Sequence, residues 1–170
     1  KFGKESVQQG FEPKVIEANA CTVEQLAGTE RLLFVTSTWG EGDPPDNAVN
    51  LWTALNAPEA PKLDRLAFSV LALGDKNYSD FCGAGKKFDA RLEQLGANRV
   101  HPRVDCDLDY ESAARDWMAA VLSKFSDTGE VISNQAPNVT KTNTDSLTTD
   151  SLITKPYSRN NPFPARLLVN

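Results

Sequence analysis

The sequence predicts an α/β fold: a doubly wound parallel sheet with helices on both faces. Two observations carry that prediction. Unbroken apolar runs of strand length alternate with amphipathic helical patterns. Each of the two strongest runs also ends in a glycine-containing polar loop, the place where open α/β sheets bind their ligands.

The elements follow in chain order. Residues 1 to 9, closed by Gly10, read as the last turns of a helix, and Val15-Ile16 as a short strand. Arg31 to Thr36 and Leu66 to Leu73 are continuously apolar, as suits parallel strands covered on both faces. Between them, Asp46 or Asn47 can cap a helix running through Leu51, Trp52 and Leu55. From Phe81, apolar residues recur at Ala84, Phe88, Leu92 and Leu95, and Gly96 follows as a natural C-cap. Val100 to Val104 reads as another short strand. From Tyr110 the stripe Ala113, Ala114, Trp117, Met118, Val121, Leu122 and Phe125 keeps a helical period.

These elements make residues 1–125 one domain. Residues 126–155 are nearly half Ser, Thr and Asn, and such a segment cannot offset its ordering entropy by burial. Its composition predicts a mobile linker. Ala165 to Val169 reads as a strand, so 156–170 is expected to open a further domain.

Composition narrows the function. With 170 residues and 40% hydrophobic content the chain can bury an ordinary core, and its net charge of −5 argues against nucleic acid as a partner. No apolar run reaches the length of a membrane span, and the first residues carry no secretory core. Cys21, Cys82 and Cys106 are odd in number and scattered, which predicts reduced thiols and a cytoplasmic protein.

The two loops carry the chemistry. The first, Thr36-Ser-Thr-Trp-Gly-Glu-Gly-Asp-Pro-Pro-Asp-Asn47, offers hydroxyls, two glycines and Trp39. The second, Leu73-Gly-Asp-Lys-Asn-Tyr-Ser-Asp-Phe-Cys-Gly-Ala-Gly85, has a glycine directly after the strand and Tyr78 four residues on. Adjacent parallel strands would set these loops side by side. A flat heteroaromatic ring between Trp39 and Tyr78 would satisfy both, with backbone groups meeting its polar edge. Taken singly, either aromatic is more often an anchor packed on the core.

Other motifs carry less. Gly83-Ala-Gly85-Lys86 lacks the spacing of a triphosphate loop, because Asp80 stands where the first glycine belongs and Lys87 replaces Ser or Thr. His101, beside Pro102, reads as a surface loop residue. The acids Asp105, Asp107, Asp109 and Glu111 fit a solvated helix N-terminus better than a metal site. No nucleophile–base constellation is present, so the residues point to binding and carrying.

At this point the motifs resemble a family. Thr36 to Ala48, and Leu73 to Cys82 with Gly85 to Asp89 and Leu92 to Gly96, are similar to two flavin loops of diflavin reductases. Arg103 to Tyr110 followed by Trp117 resembles the sulfite reductase type more than the P450-reductase type. The resemblance covers residues 11–125 and 155–170. It implies a flavodoxin-like fold holding FMN, with Ser37, Thr38, Trp39 and Gly40 on one side of the flavin. Leu73, Gly74, Asp75, Lys76, Asn77, Tyr78, Ser79, Asp80, Phe81 and Cys82 form the loop on the other side, with Tyr78 as the stacking ring. The implied partners are an FAD/NADPH reductase domain in the same polypeptide and a haem/iron–sulfur subunit that receives the electrons. Glu41, Asp43 and Asp107 would make an acidic rim able to steer a basic partner. Alternatives are the FMN domain of a P450-reductase-like protein, and a flavodoxin-fold interaction module without flavin. The family's first strand and its phosphate loop are expected upstream of Lys1. In the implied sheet that strand is central, and without it Val15-Ile16 would have no neighbour.

Overall fold

The computed structural model of the chain describes residues 6–133 and 164–169, with side chains described over residues 6–127. Strands β1 (Glu12–Glu17), β2 (Arg31–Ser37), β3 (Ala67–Leu73), β4 (Asn98–Arg99), β5 (Val104–Cys106) and β6 (Pro164–Val169) form one sheet. Every strand pair in it is parallel. Helices α1 (Val23–Ala27), α2 (Val49–Leu55), α3 (Gly83–Gln94) and α4 (Glu111–Ser133) connect the strands.

Strand alternation splits the core in two. Leu32 and Phe34 face one side, where Leu26, Leu51, Leu55, Phe88 and Leu92 pack from α1, α2 and α3. Leu33 and Val35 face the other, against Trp117, Met118, Val121 and Leu122 of α4. Burial on both faces explains why β2 and β3 are continuously apolar rather than alternating. Their register runs from Arg31 opposite Ala67 to Ser37 opposite Leu73, so both strands end at the same height. That shared end sets the two polar loops side by side.

Several elements differ from the sequence reading. The strand expected over Val100 to Val104 is two short pieces, β4 against the start of β3 and β5 against its end. The capping helix through Leu51 begins as a 3-10 turn, and neither Asp46 nor Asn47 caps it. Instead the Asn19 side chain donates to the Asp46 carbonyl (2.7 Å) and accepts from the Asn50 N–H (2.9 Å). Helix α1 is an addition, short but closed by a capping box in which Thr22 and Gln25 satisfy each other's backbone N–H groups. Helix α4 continues past Phe125 to Ser133, since extending a formed helix costs far less than starting one. The rest of the expected linker, 134–155, lies outside the described residues.

The largest difference is at the sheet centre. Ala165 to Val169 is a strand as expected, but it lies between β1 and β2 in parallel register with both. Val15 pairs with Leu167, and Phe34 with Leu168. The physical reason is that two parallel strands spaced one strand apart leave two rows of unpaired N–H and C=O groups, which an extended segment satisfies.

Close packing of α3 onto β3 depends on one glycine. A Cβ added at Gly85 would overlap the Ala72 side chain, whereas one at Gly28 would meet only ordinary contacts. Gly85→Ala is therefore expected to cost about 1–3 kcal/mol of stability through overpacking. Gly28→Ala should leave thermal melting within about a degree or two of the parent, given the usual few degrees per kcal/mol. Equal melting temperatures for the two variants would show that α3 is free to shift.

Candidate functional site

A cavity of about 550 Å³ opens at the carboxyl ends of β2, β3 and β5. Its walls are Ser37, Thr38, Trp39 and Gly40 from the first loop, and Leu73, Gly74, Asp75, Tyr78, Asp80, Phe81 and Cys82 from the second. Of the residues expected there, Lys76, Asn77 and Ser79 do not line the cavity. Asp107, Leu108 and Tyr110 complete the wall. Asp107 is one of the acids expected at the rim, whereas Leu108 and Tyr110 are additions to the expected site. The signal was available: the segment after β5 also leaves the carboxyl edge of the sheet, and Leu108 is an apolar residue set among acids.

The first loop is a tight turn. Trp39 and Asp43 exchange backbone hydrogen bonds of 2.9 and 2.8 Å. The turn needs positive φ at Gly40 (49°) and Gly42 (93°), which glycine adopts without strain. The indole of Trp39 is left 72% exposed over the cavity mouth. Gly42 also lets this loop touch the second one, because a Cβ there, or on Gly83, would collide with Asp80. Ser79 Oγ donates to Glu41 Oε2 (2.7 Å), and Lys87 pairs with Asp43 (3.3 Å).

The second loop folds on itself. Asp75 Oδ1 accepts from both the backbone N–H and the side-chain amide of Asn77, each at 2.8 Å. The Tyr78 N–H donates to the Asp75 carbonyl (3.1 Å), and the phenol ring stands 57% exposed. Gly74 donates its N–H to the Cys106 carbonyl (2.9 Å), tying the loop base to β5. A side chain at Gly74 would press on the Cys82 backbone. Cys82 itself holds a left-handed backbone (φ 59°), a sparsely populated region for a residue with a Cβ. Its thiol is buried and directed at the Ala72 and Cys106 carbonyls. Burial first, then the nearby Asp105 charge, pushes that thiol up to about 11, and the same causes raise Cys106. Both stay protonated at neutral pH. All three cysteines are buried thiols outside any disulfide.

The wall beyond is held by ion pairs. Buried Asp89 on α3 accepts from Arg99 (2.8 and 3.0 Å) and Arg103 (2.9 Å), and Arg103 also pairs with Asp105 (2.6 Å). Asp107 accepts from the N–H groups of Leu108 (2.9 Å) and Lys76 (3.3 Å), which hold its carboxyl below the ordinary range. His101 lies apart from the cavity, its Nδ1 beside the Pro102 carbonyl and its own carbonyl accepting from Ser69.

The cavity suits a flat polar-edged ring. Exposed rings of Trp39 and Tyr78 stand on its two main walls, where apolar faces are costly to leave in water. Thr38 Oγ1 is buried at the wall with no hydrogen-bond partner among the described residues, a group that a bound molecule would satisfy. The described residues hold no cluster of His, Cys, Asp or Glu suited to a metal ion. No helix among them is long and apolar enough to cross a membrane.

Comparison with known proteins agrees with this arrangement. The sequence matches the Flavodoxin family over residues 1–117. It is 44% identical over 168 residues to the sulfite reductase (NADPH) flavoprotein alpha-component of Bacillus subtilis (strain 168), covering 99% of this chain and 26% of that protein. The protein of the same name from Escherichia coli O1:K1 is 39% identical over 157 residues, covering 92% of this chain and 25% of that one. The chain thus spans about a quarter of the length of these relatives. Among solved structures, a cysteine-to-alanine mutant of flavodoxin from Pseudomonas aeruginosa matches with a TM-score of 0.65 at 28% identity, covering 74% of this chain and 86% of that one. The Streptococcus pneumonia TIGR4 flavodoxin matches with a TM-score of 0.66 at 20% identity, covering 75% and 86%.

Proposed function

This chain belongs to the flavodoxin family, and from that premise we propose that it is the FMN-holding electron carrier of a sulfite-reductase-type flavoprotein. The observation that carries the reading is the cavity walled by Trp39 and Tyr78, at the carboxyl edge of a parallel sheet. FMN, when bound, supplies the redox chemistry itself. The chain's residues bind and orient. Tyr78 and Trp39 offer ring faces for stacking, Thr38 offers its unsatisfied hydroxyl, and the backbone of Gly40 and Gly74 permits close approach. The carboxylates of Asp75, Asp80 and Asp107 at the same walls disfavour added negative charge in the cavity.

The donor in this reading is an FAD/NADPH reductase domain of the same polypeptide, joined through the Ser-, Thr- and Asn-rich sequence that follows Ser133, and covalent linkage keeps the local concentration of each partner high. The acceptor is a haem/iron–sulfur subunit. The resemblance in residues 103–110 and the flavoprotein relatives favour it over the P450-reductase-like alternative. The test is direct. Purified chain mixed with FMN should quench flavin fluorescence in a saturable, one-to-one manner. The longer polypeptide that contains this domain should reduce sulfite with NADPH only when a haem/iron–sulfur subunit is added. A chain that leaves flavin fluorescence unchanged would favour the interaction-module reading instead.

A further inference from the structure

The second loop keeps its own shape through bonds inside it, but those bonds do not attach it to the rest of the protein. Asp75 binds Asn77, and Tyr78 binds Asp75, all within four residues. Tyr78 is more than half exposed, so burial does little to place its ring. Beyond the Gly74 bond to Cys106 at its base, the loop is attached through Lys76 and Ser79, which flank this turn's centre. On one flank the Lys76 N–H donates to Asp107 Oδ1 (3.3 Å), and the Lys76 ammonium stands 3.7 Å from Asp107 Oδ2. On the other flank the Ser79 hydroxyl donates to Glu41 Oε2 (2.7 Å). Glu41 follows β2, Asp107 follows β5, and β3 lies between these two strands in the sheet. The two carboxylates therefore reach the loop from opposite sides.

We propose, resting on the FMN reading above, that Asp107 and Glu41 are positioning residues that clasp the Lys76–Ser79 segment from both sides and so hold the Tyr78 ring in its stacking place. The Leu108 N–H, donating to the same Asp107 oxygen at 2.9 Å, fixes the carboxylate that does the holding. Its lowered proton affinity, caused first by the Leu108 N–H and then by the Lys76 N–H, keeps it an acceptor throughout the neutral range. These acids thus do more than present negative charge to a partner: they reduce the freedom the loop would otherwise lose on binding.

A clasp and a bare charge predict different variants. Asp107→Ala removes both oxygen and charge, whereas Asp107→Asn removes the charge and keeps an acceptor oxygen. Ser79→Ala and Ser79→Thr make the same contrast on the other flank. Two readouts apply to the full chain: hydrogen exchange of the Lys76 amide without flavin, and FMN affinity by fluorescence quenching. Asp107→Ala should speed Lys76 exchange at least roughly threefold by releasing that bond. It should also weaken FMN binding by about five- to tenfold, the scale of one lost hydrogen bond of this kind. Asp107→Asn should keep Lys76 exchange within about twofold of the parent and lose less FMN affinity than Asp107→Ala. Ser79→Thr should stay within about twofold of the parent, and Ser79→Ala should weaken FMN binding as Asp107→Ala does. Parent-like exchange and affinity in Asp107→Ala would overturn the proposal, as would equal losses in Asp107→Asn and Asp107→Ala. If the parent chain takes up no FMN, the FMN reading fails. The exchange contrast between Asp107→Ala and Asp107→Asn then still decides whether the clasp exists.

Discussion

Replacing Trp117 with alanine is expected to lower stability by about 3–5 kcal/mol, the range seen for large aromatic residues removed from a packed core. Trp117 is among the largest fully buried side chains and joins α4 to the outer face of β3. Its indole N–H donates to Ser69 Oγ (2.7 Å), which in turn donates to the His101 carbonyl (3.1 Å). The residue thus closes a chain of bonds from α4 through the middle of the sheet to the segment between β4 and β5. Trp117→Phe keeps most of the volume and loses the bond, so it should cost about 1–2 kcal/mol. Denaturant unfolding followed by circular dichroism reads both. If Trp117→Ala unfolds at the same denaturant concentration as Trp117→Phe, the helix is not anchored through this residue.

The second large effect falls on binding and not on folding. Tyr78→Ala should weaken FMN affinity by about 10- to 100-fold, since a stacked aromatic contributes about 1–3 kcal/mol per ring contact. The exposed phenol contributes little to the core, so melting of the flavin-free protein should stay within about a degree or two of the parent. His101→Ala, away from the cavity walls, should retain parental affinity. Fluorescence titration of the three proteins checks this. Equal affinities in Tyr78→Ala and His101→Ala would mean that the ring is not part of the binding surface.

Much of this was legible in the sequence because it depends on local signals. β2 and β3 announce themselves by continuous apolarity, and α3 and α4 by their period and by Gly96, which adopts the left-handed φ of 99° that such a helix stop requires. The first two cavity walls follow from one general rule about strand ends. What stayed hidden depends on contacts distant in sequence. Nothing near Asp46 indicates that Asn19 will do the capping. Pro102, which has no N–H to give a ladder, marks the break inside Val100 to Val104, but the ion pairs of Arg99 and Arg103 to Asp89 on either side of it leave no local trace. The place of β6 between β1 and β2 is a matter of pairing, which a run of five apolar-leaning residues cannot specify. Leu108 and Tyr110 join the site only because β5 ends level with β3.

Thr38 has a thermodynamic consequence. A hydroxyl buried without a partner raises the free energy of the native state by about 1–3 kcal/mol relative to one that is bonded. A ligand that meets this oxygen removes that penalty in addition to making its own contacts elsewhere. Folding and occupancy of the cavity are therefore two faces of one equilibrium. With FMN as that ligand, as proposed above, resistance to unfolding rises with the concentration of free ligand.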